Sequence, residues 1–175
     1  MTNARRRAIE HLADAVREQL EVTTPADMTK VVTGLGGSLK AKTFDDPTIS
    51  GMIQKVGGSF EISYNEEHSE LRSTFTIAHE LGHLFLHMGY LVDPEKWNRI
   101  NEYRDSPKYR QGYSEEEYEA NQFAGSFLMP ESEYRQFVKD NSEDHKISID
   151  MIAEHFGVSR DAALTRGKWL GIIRW

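Results

Sequence analysis

The sequence contains no cysteine. That absence excludes a disulfide framework and any thiolate-held metal, so a metal in this chain would sit on histidine and carboxylate. Nor does any stretch approach the roughly 18 consecutive apolar residues that a membrane-spanning helix requires. Basic residues are outnumbered, with 21 Lys and Arg against 28 Asp and Glu, a formal net charge of -7 and a pI near 5.5. A chain that works chiefly by gripping a phosphate backbone needs the opposite balance. The opening Met1-Thr2-Asn3-Ala4-Arg5-Arg6-Arg7 leads into an amphipathic pattern with no apolar core of a signal peptide, so the expected location is cytoplasmic. What is present is a globular composition: 175 residues, 38% hydrophobic and 28% charged, enough for one domain with its own core.

Along the chain, Ile9, Leu12, Val16 and Leu20 recur at helical spacing and predict an amphipathic helix over residues 4–20. Thr24-Pro25-Ala26-Asp27 reads as a second helix start, with Thr24 as cap and Pro25 in the first turn, ending at Gly34. Between residues 37 and 65 the period changes. Segments 38–44, 51–56 and 59–64 predict a small antiparallel sheet, the last two joined by the Gly57-Gly58 turn. Helical spacing returns through Phe75, Ala78, Leu81 and Phe85. Residues 93–113, with Trp97, Tyr103, Tyr109 and Tyr113 among Arg99, Arg104 and Arg110, show no clean period and predict a long loop. Further helices are expected from Ser114 to Met129, from Glu131 to Lys139, from about Ser148, and from Arg160 to about Leu170.

The chemistry is concentrated in His79-Glu80-Leu81-Gly82-His83, an HExxH motif. Two histidines four apart on a helix project from one face about 6 Å apart, close enough for both imidazoles to reach one zinc at about 2.0–2.1 Å. Glu80, one residue round, stands beside such a metal and can take a proton from an activated water and return it to a leaving amine. A catalytic zinc needs a third protein ligand. His87 is a poor choice, since eight residues at 1.5 Å rise place it about 12 Å along the helix from His79, and it reads instead as a helix-end residue. Leu86 and Gly89 stand where a metzincin motif requires Gly and His.

The helix after Ser114 offers four glutamates. Glu117, Ala120, Asn121, Ala124 and Leu128 share one face that is otherwise apolar or small. A carboxylate and an amide on such a stripe need partners, which suggests Glu117 as third ligand with Asn121 behind it, holding a histidine ring or the ligand in place. Against this, Glu117 has the spacing of a capping box with Ser114, and Glu119 or Glu116 would then be the ligand.

Taken together, Arg72-Ser73-Thr74-Phe75-Thr76-Ile77-Ala78-His79-Glu80-Leu81-Gly82-His83, then Glu117-Tyr118-Glu119-Ala120-Asn121-Gln122-Phe123-Ala124 and Phe127-Leu128-Met129-Pro130, resemble the ImmA/IrrE family of zinc metallopeptidases over roughly residues 25–170. The resemblance implies a minimal gluzincin-like α+β fold, with the small sheet packed on the HExxH helix, and Glu117 as the third zinc ligand. It also implies a cognate helix-turn-helix repressor as substrate, whose cleavage relieves repression of mobile-element, stress or toxin-antitoxin genes. The loop at 93–113 is long for this family and alters the expected substrate cleft. Residues 1–140 are then the catalytic domain and residues 141–175 a helical annex packed on it.

Within the annex, Ile152-Ala153-Glu154-His155-Phe156-Gly157-Val158-Ser159 has helix-turn-helix spacing, followed by Arg160, Arg166 and Lys168. Asp150, Glu154 and Asp161 dilute that basic character, so direct DNA binding is not expected and the helix pair is read as packing on the catalytic domain or docking the repressor. The alternative from another class is a regulatory zinc-containing module that contacts DNA or a repressor without catalysis. His155, Tyr113 and Arg72 are candidates for stabilising an oxyanion, among which the sequence does not choose.

Overall fold

The structure is a computed structural model that describes residues 1–100, 114–143 and 146–173. It is an α+β fold. Among the described residues eight helices surround a three-stranded sheet: α1 (Asn3–Gln19), α2 (Met28–Gly34), α3 (Glu70–Gly82), α4 (Pro94–Arg99), α5 (Glu115–Leu128), α6 (Glu131–Asn141), α7 (Ile149–Phe156) and α8 (Arg160–Trp169), with strands β1 (Ser38–Lys42), β2 (Gly51–Val56) and β3 (Ser59–Asn65).

The sheet order is β1-β3-β2, with β2 antiparallel and β1 parallel to β3. It is therefore mixed where an antiparallel sheet was expected. The reason lies in burial. β3 carries the inward-facing Phe60 and Ile62 and takes the centre, whereas Ser38-Leu39-Lys40-Ala41-Lys42 is largely exposed and suits an edge, where lysines discourage further pairing. Residues 43–50 carry the chain across, so that β1 meets the far side of β3 and runs parallel to it.

Ile53 and Ile62 pair across β2 and β3 and face α3, whose Ile77, Ala78 and Leu81 complete a continuous core with Phe123, Phe127 and Leu128 of α5. Ser69 caps α3 by accepting from Arg72 N–H, and Ser114 caps α5 by accepting from Glu117 N–H. Directly after α3 the helix widens into a π-helical turn, His83–His87, in which Met88 N–H donates to His83 O at 2.9 Å.

Two boundaries differ from expectation. Thr24 does not start α2. Its hydroxyl donates to Glu133 at 2.8 Å and accepts from the largely buried Arg17, while Asp27, nearer the helix, accepts from both Thr29 N–H and Lys30 N–H at 3.1 Å. Within the expected loop, Pro94–Arg99 is helical: Asp93 caps it, Trp97 is buried, and Lys55 Nζ donates to the Trp97 and Ile100 carbonyls. The remainder of that segment, 101–113, including Tyr103, Arg104, Tyr109, Arg110 and Tyr113, lies outside the described residues.

Candidate metal centre

The site begins at a glycine. A Cβ on Gly82 would lie 2.8 Å from Ala120 Cα and 3.0 Å from Ala120 O, so α3 and α5 approach as closely as backbones allow only because both contact residues are small. That approach brings Glu117, one turn before Ala120, opposite His79 and His83. His83 Nε2 lies 3.0 Å from His79 Nε2 and 3.3 Å from Glu117 Oε1, and His79 Nε2 lies 3.4 Å from Glu117 Oε2.

These separations test the fit of a metal. Ligands about 2.0–2.1 Å from a tetrahedral zinc stand about 3.3–3.4 Å from one another. The two nitrogens stand 3.0 Å apart, with one Glu117 oxygen 3.3 Å from His83 and the other 3.4 Å from His79, close to that spacing, so His79, His83 and Glu117 could hold such an ion. The donor set is of the kind zinc accepts, and it leaves one corner of the tetrahedron for a reactant. The two imidazoles hold Glu117 well below the usual carboxylate range, His79 contributing most and His83 next, against the opposing effect of burial. Glu117 is thus anionic at neutral pH, as ligation needs.

Capping and ligation are separated by direction. Ser114 Oγ accepts from the Glu117 backbone N–H at 3.3 Å, while the Glu117 carboxylate turns to the histidines. Only one half of a capping box forms. Glu119 faces elsewhere: Arg5 grips it with Nε and Nη2 both at 2.6 Å, and His87 Nε2 lies 3.3 Å from its Oε2. Glu116 is exposed.

Asn121 is exposed, not buried as the face pattern implied, because the buried side of α5 is formed by Glu119, Ala120, Phe123 and Phe127. It nevertheless meets a ring: its Oδ1 lies 3.0 Å from His79 Nδ1, and a proton donated there from Nδ1 would leave the Nε2 lone pair of His79 for a metal. Glu80 is fully buried beside the three groups and lines the same cleft. Above it, the edge strand opens with Gly51, where a Cβ would lie 2.4 Å from Thr76 Cγ2 and 3.1 Å from Glu80 Oε1.

The cleft has a volume of about 790 Å³ and is walled by α3, α5 and α8. Arg72 reaches it and donates to Ser50 Oγ at 3.1 Å. His155 does not reach it: its ring stacks on Phe137 with centroids 4.0 Å apart and its Nε2 lies 3.2 Å from Glu133. From α8, the helix that would read DNA, Asp161, Ala162, Thr165, Arg166 and Trp169 line the cleft, together with its capping residue Ser159. Arg166 is 4% exposed and donates to Met129 O and Glu10, and Arg160 pairs with Asp150 at 3.3 Å.

Residues 40–168 match the family described as the IrrE N-terminal-like domain, a group of M78 peptidases. The chain belongs to this family. With that membership comes the metallopeptidase-type domain, in which the cluster just described is a candidate metal centre. Among solved structures the chain is similar to a Mycobacterium tuberculosis transcriptional regulator, with a TM-score of 0.65 and 17% identity over 93% of this chain and 46% of that one. At that identity the likeness is one of fold, and this IrrE-type domain spans about half the length of the regulator. No curated protein matches it.

Sequence reasoning missed a second tier behind the IrrE-type cluster. His87, read as a helix-end residue, is buried, with its Nδ1 2.9 Å from His83 Nδ1. Burial first, then the neighbouring His83, push its pKa down to about 4, with Glu119 opposing. The four-residue step from His83 was the available signal for His87. Local sequence offered none for Arg5, which lies 114 residues from Glu119.

Proposed function

We propose that this chain is a zinc-dependent endopeptidase that cleaves a peptide bond in a helix-turn-helix transcriptional repressor, relieving repression in a mobile-element, stress or toxin-antitoxin setting. One observation carries the reading: two imidazole nitrogens and the Glu117 carboxylate stand at tetrahedral zinc spacing beside a cleft that Glu80 lines. The proposed ligands are His79, His83 and Glu117, with Asn121 fixing the His79 ring.

Zinc bound there supplies a Lewis acid that lowers the pKa of water to about 7 and polarises a carbonyl. Glu80, buried and adjacent, takes the proton from the attacking water and delivers it to the leaving amine. The edge strand β2 and the groove between α3 and α8 receive the substrate in extended form, which would bring the scissile carbonyl to the cluster of His79, His83 and Glu117. Arg72, at the cleft, is the cation that could face a developing oxyanion. We take residues 1–140 as the catalytic unit and residues 141–175 as a helical annex packed on it.

The alternative, a regulatory zinc module that contacts DNA without catalysis, has less support. Its reading helix would be α8, yet α8 lines the cleft, Arg166 is used inside the fold and Arg160 is paired with an acid. A structural zinc site also has no need of Glu80. A repressor substrate places the encounter in the cytoplasm, and no described helix is long and apolar enough to cross a membrane.

The test is incubation of zinc-loaded protein with candidate helix-turn-helix repressors from the same genome, products being mapped by mass spectrometry. Cleavage at one bond is expected, abolished in Glu80→Gln although that variant still binds one zinc. Equal cleavage by parent and Glu80→Gln refutes the mechanism.

A further inference from the structure

Behind the metal-facing nitrogens runs a chain of buried polar contacts that ends at the surface. Arg5 Nε and Nη2 donate to Glu119 Oε1 and Oε2, both at 2.6 Å. His87 Nε2 lies 3.3 Å from Glu119 Oε2, His87 Nδ1 lies 2.9 Å from His83 Nδ1, and His83 Nε2 faces His79 Nε2 at 3.0 Å. The side chains of His83, His87 and Glu119 are 1%, 6% and 10% exposed, and that of Arg5 is 43% exposed.

Each contact fixes the next. A carboxylate held by a guanidinium fork is an acceptor only, so His87 must present Nε2–H to it. A neutral imidazole that donates from Nε2 offers a lone pair at Nδ1. Two Nδ1 atoms 2.9 Å apart share one proton, and with His87 as acceptor that proton belongs to His83. With its proton on Nδ1, His83 has the Nε2 lone pair left for a metal held between it, His79 and Glu117. Were His87 in the other tautomer, His83 would carry its proton on Nε2, where a metal cannot bind.

We infer that Arg5, Glu119 and His87 form a positioning relay that locks His83 in the tautomer and orientation needed for metal ligation, so that α1 helps assemble the metal centre. The inference rests on the metal reading above, and it concerns this chain in particular, because Arg5 precedes the family-matched residues 40–168. Glu119, open as a ligand from sequence alone, acquires a different role and orients a ligand from two residues away.

The experiment is zinc affinity, measured on metal-free protein by competition with a chromophoric chelator, alongside thermal unfolding of the metal-free form. His87→Leu and Glu119→Leu are expected to weaken zinc binding about 10- to 100-fold, the range for partners that orient a ligand. Arg5→Met should weaken it in the same direction, and because Arg5 sits at the surface that variant keeps the test open if a buried one fails to fold. His87→Gln, whose Oε1 can still accept from His83 Nδ1–H, should bind zinc more tightly than His87→Leu, a rescue that a packing role would not produce. Glu116→Gln, exposed on the same helix, should match the parent. If His87→Leu and Arg5→Met both stay within about threefold of the parent while His83→Ala has lost its zinc, the relay is wrong and the metal site stands. If parent and His83→Ala bind zinc alike, the metal reading fails and the relay with it.

Discussion

Replacing Gly82 with alanine adds one methyl at the point where α3 meets α5. That methyl would stand 2.8 Å from Ala120 Cα and 3.0 Å from Ala120 O, both backbone atoms that no rotamer change can move aside. Ordinary carbon contacts begin near 3.5 Å, so the helices must part by about 0.7 Å at this level. Overpacking of this kind destabilises by about 1–3 kcal/mol, offset by up to about 1 kcal/mol from the better helix propensity of alanine. The net loss of stability is therefore roughly 0–3 kcal/mol on those figures. The site is less tolerant, because His79 and His83 ride on α3 and Glu117 on α5, and metal–ligand distances hold within about 0.2 Å. Zinc affinity of Gly82→Ala should thus fall by at least about tenfold, more than its stability would suggest. Chelator competition for zinc and thermal unfolding of the metal-free protein read the two effects separately. A Gly82→Ala protein that binds zinc as tightly as the parent would refute the claim that this helix contact sets the ligand spacing.

Two further outcomes are expected. In Gly51→Ala the new methyl meets Thr76 Cγ2 at 2.4 Å and Glu80 Oε1 at 3.1 Å, so peptide cleavage should drop while zinc content stays at one per chain; unchanged cleavage would show that Glu80 has room to spare. Tyr134 is fully buried, donates to Ala163 O, and burial raises its pKa to about 12. Its folded value lies above the unfolded value of about 10, so the stability it contributes is complete below pH 10 and is lost as pH rises toward 12, up to roughly 3 kcal/mol. Denaturant unfolding across that window should show a steeper loss for the parent than for Tyr134→Phe, and parallel curves would refute the assignment.

The HExxH segment was legible because its chemistry and its periodicity coincide: the same four-residue step that pairs His79 with His83 also lines Ile77 and Leu81 on the core side. Glu117 was legible as a carboxylate on a small, apolar face, although only the fold shows that its carboxylate and its backbone N–H serve different partners. The pattern misjudged Asn121, since a face shared with Ala120 and Ala124 does not reveal that the end near the cleft is open to solvent. Strand positions read well, but the parallel pairing of β1 depends on which strand takes the centre, a long-range competition that local alternation does not encode. Helix α2 starts later than expected because two capping residues competed and the nearer, Asp27, captured the amides. The histidine relay was invisible for a different reason. It requires a π-helical turn and an arginine from the other end of the chain, neither of which leaves a local signature.

Zinc-edge X-ray absorption on the protein loaded with one equivalent of zinc addresses the central claim directly. The expected spectrum fits two imidazole nitrogens and light oxygen donors at about 2.0–2.2 Å, and Glu117→Ala should lose the metal under the same dialysis. A spectrum requiring three imidazoles, or a Glu117→Ala protein that retains zinc unchanged, would contradict it.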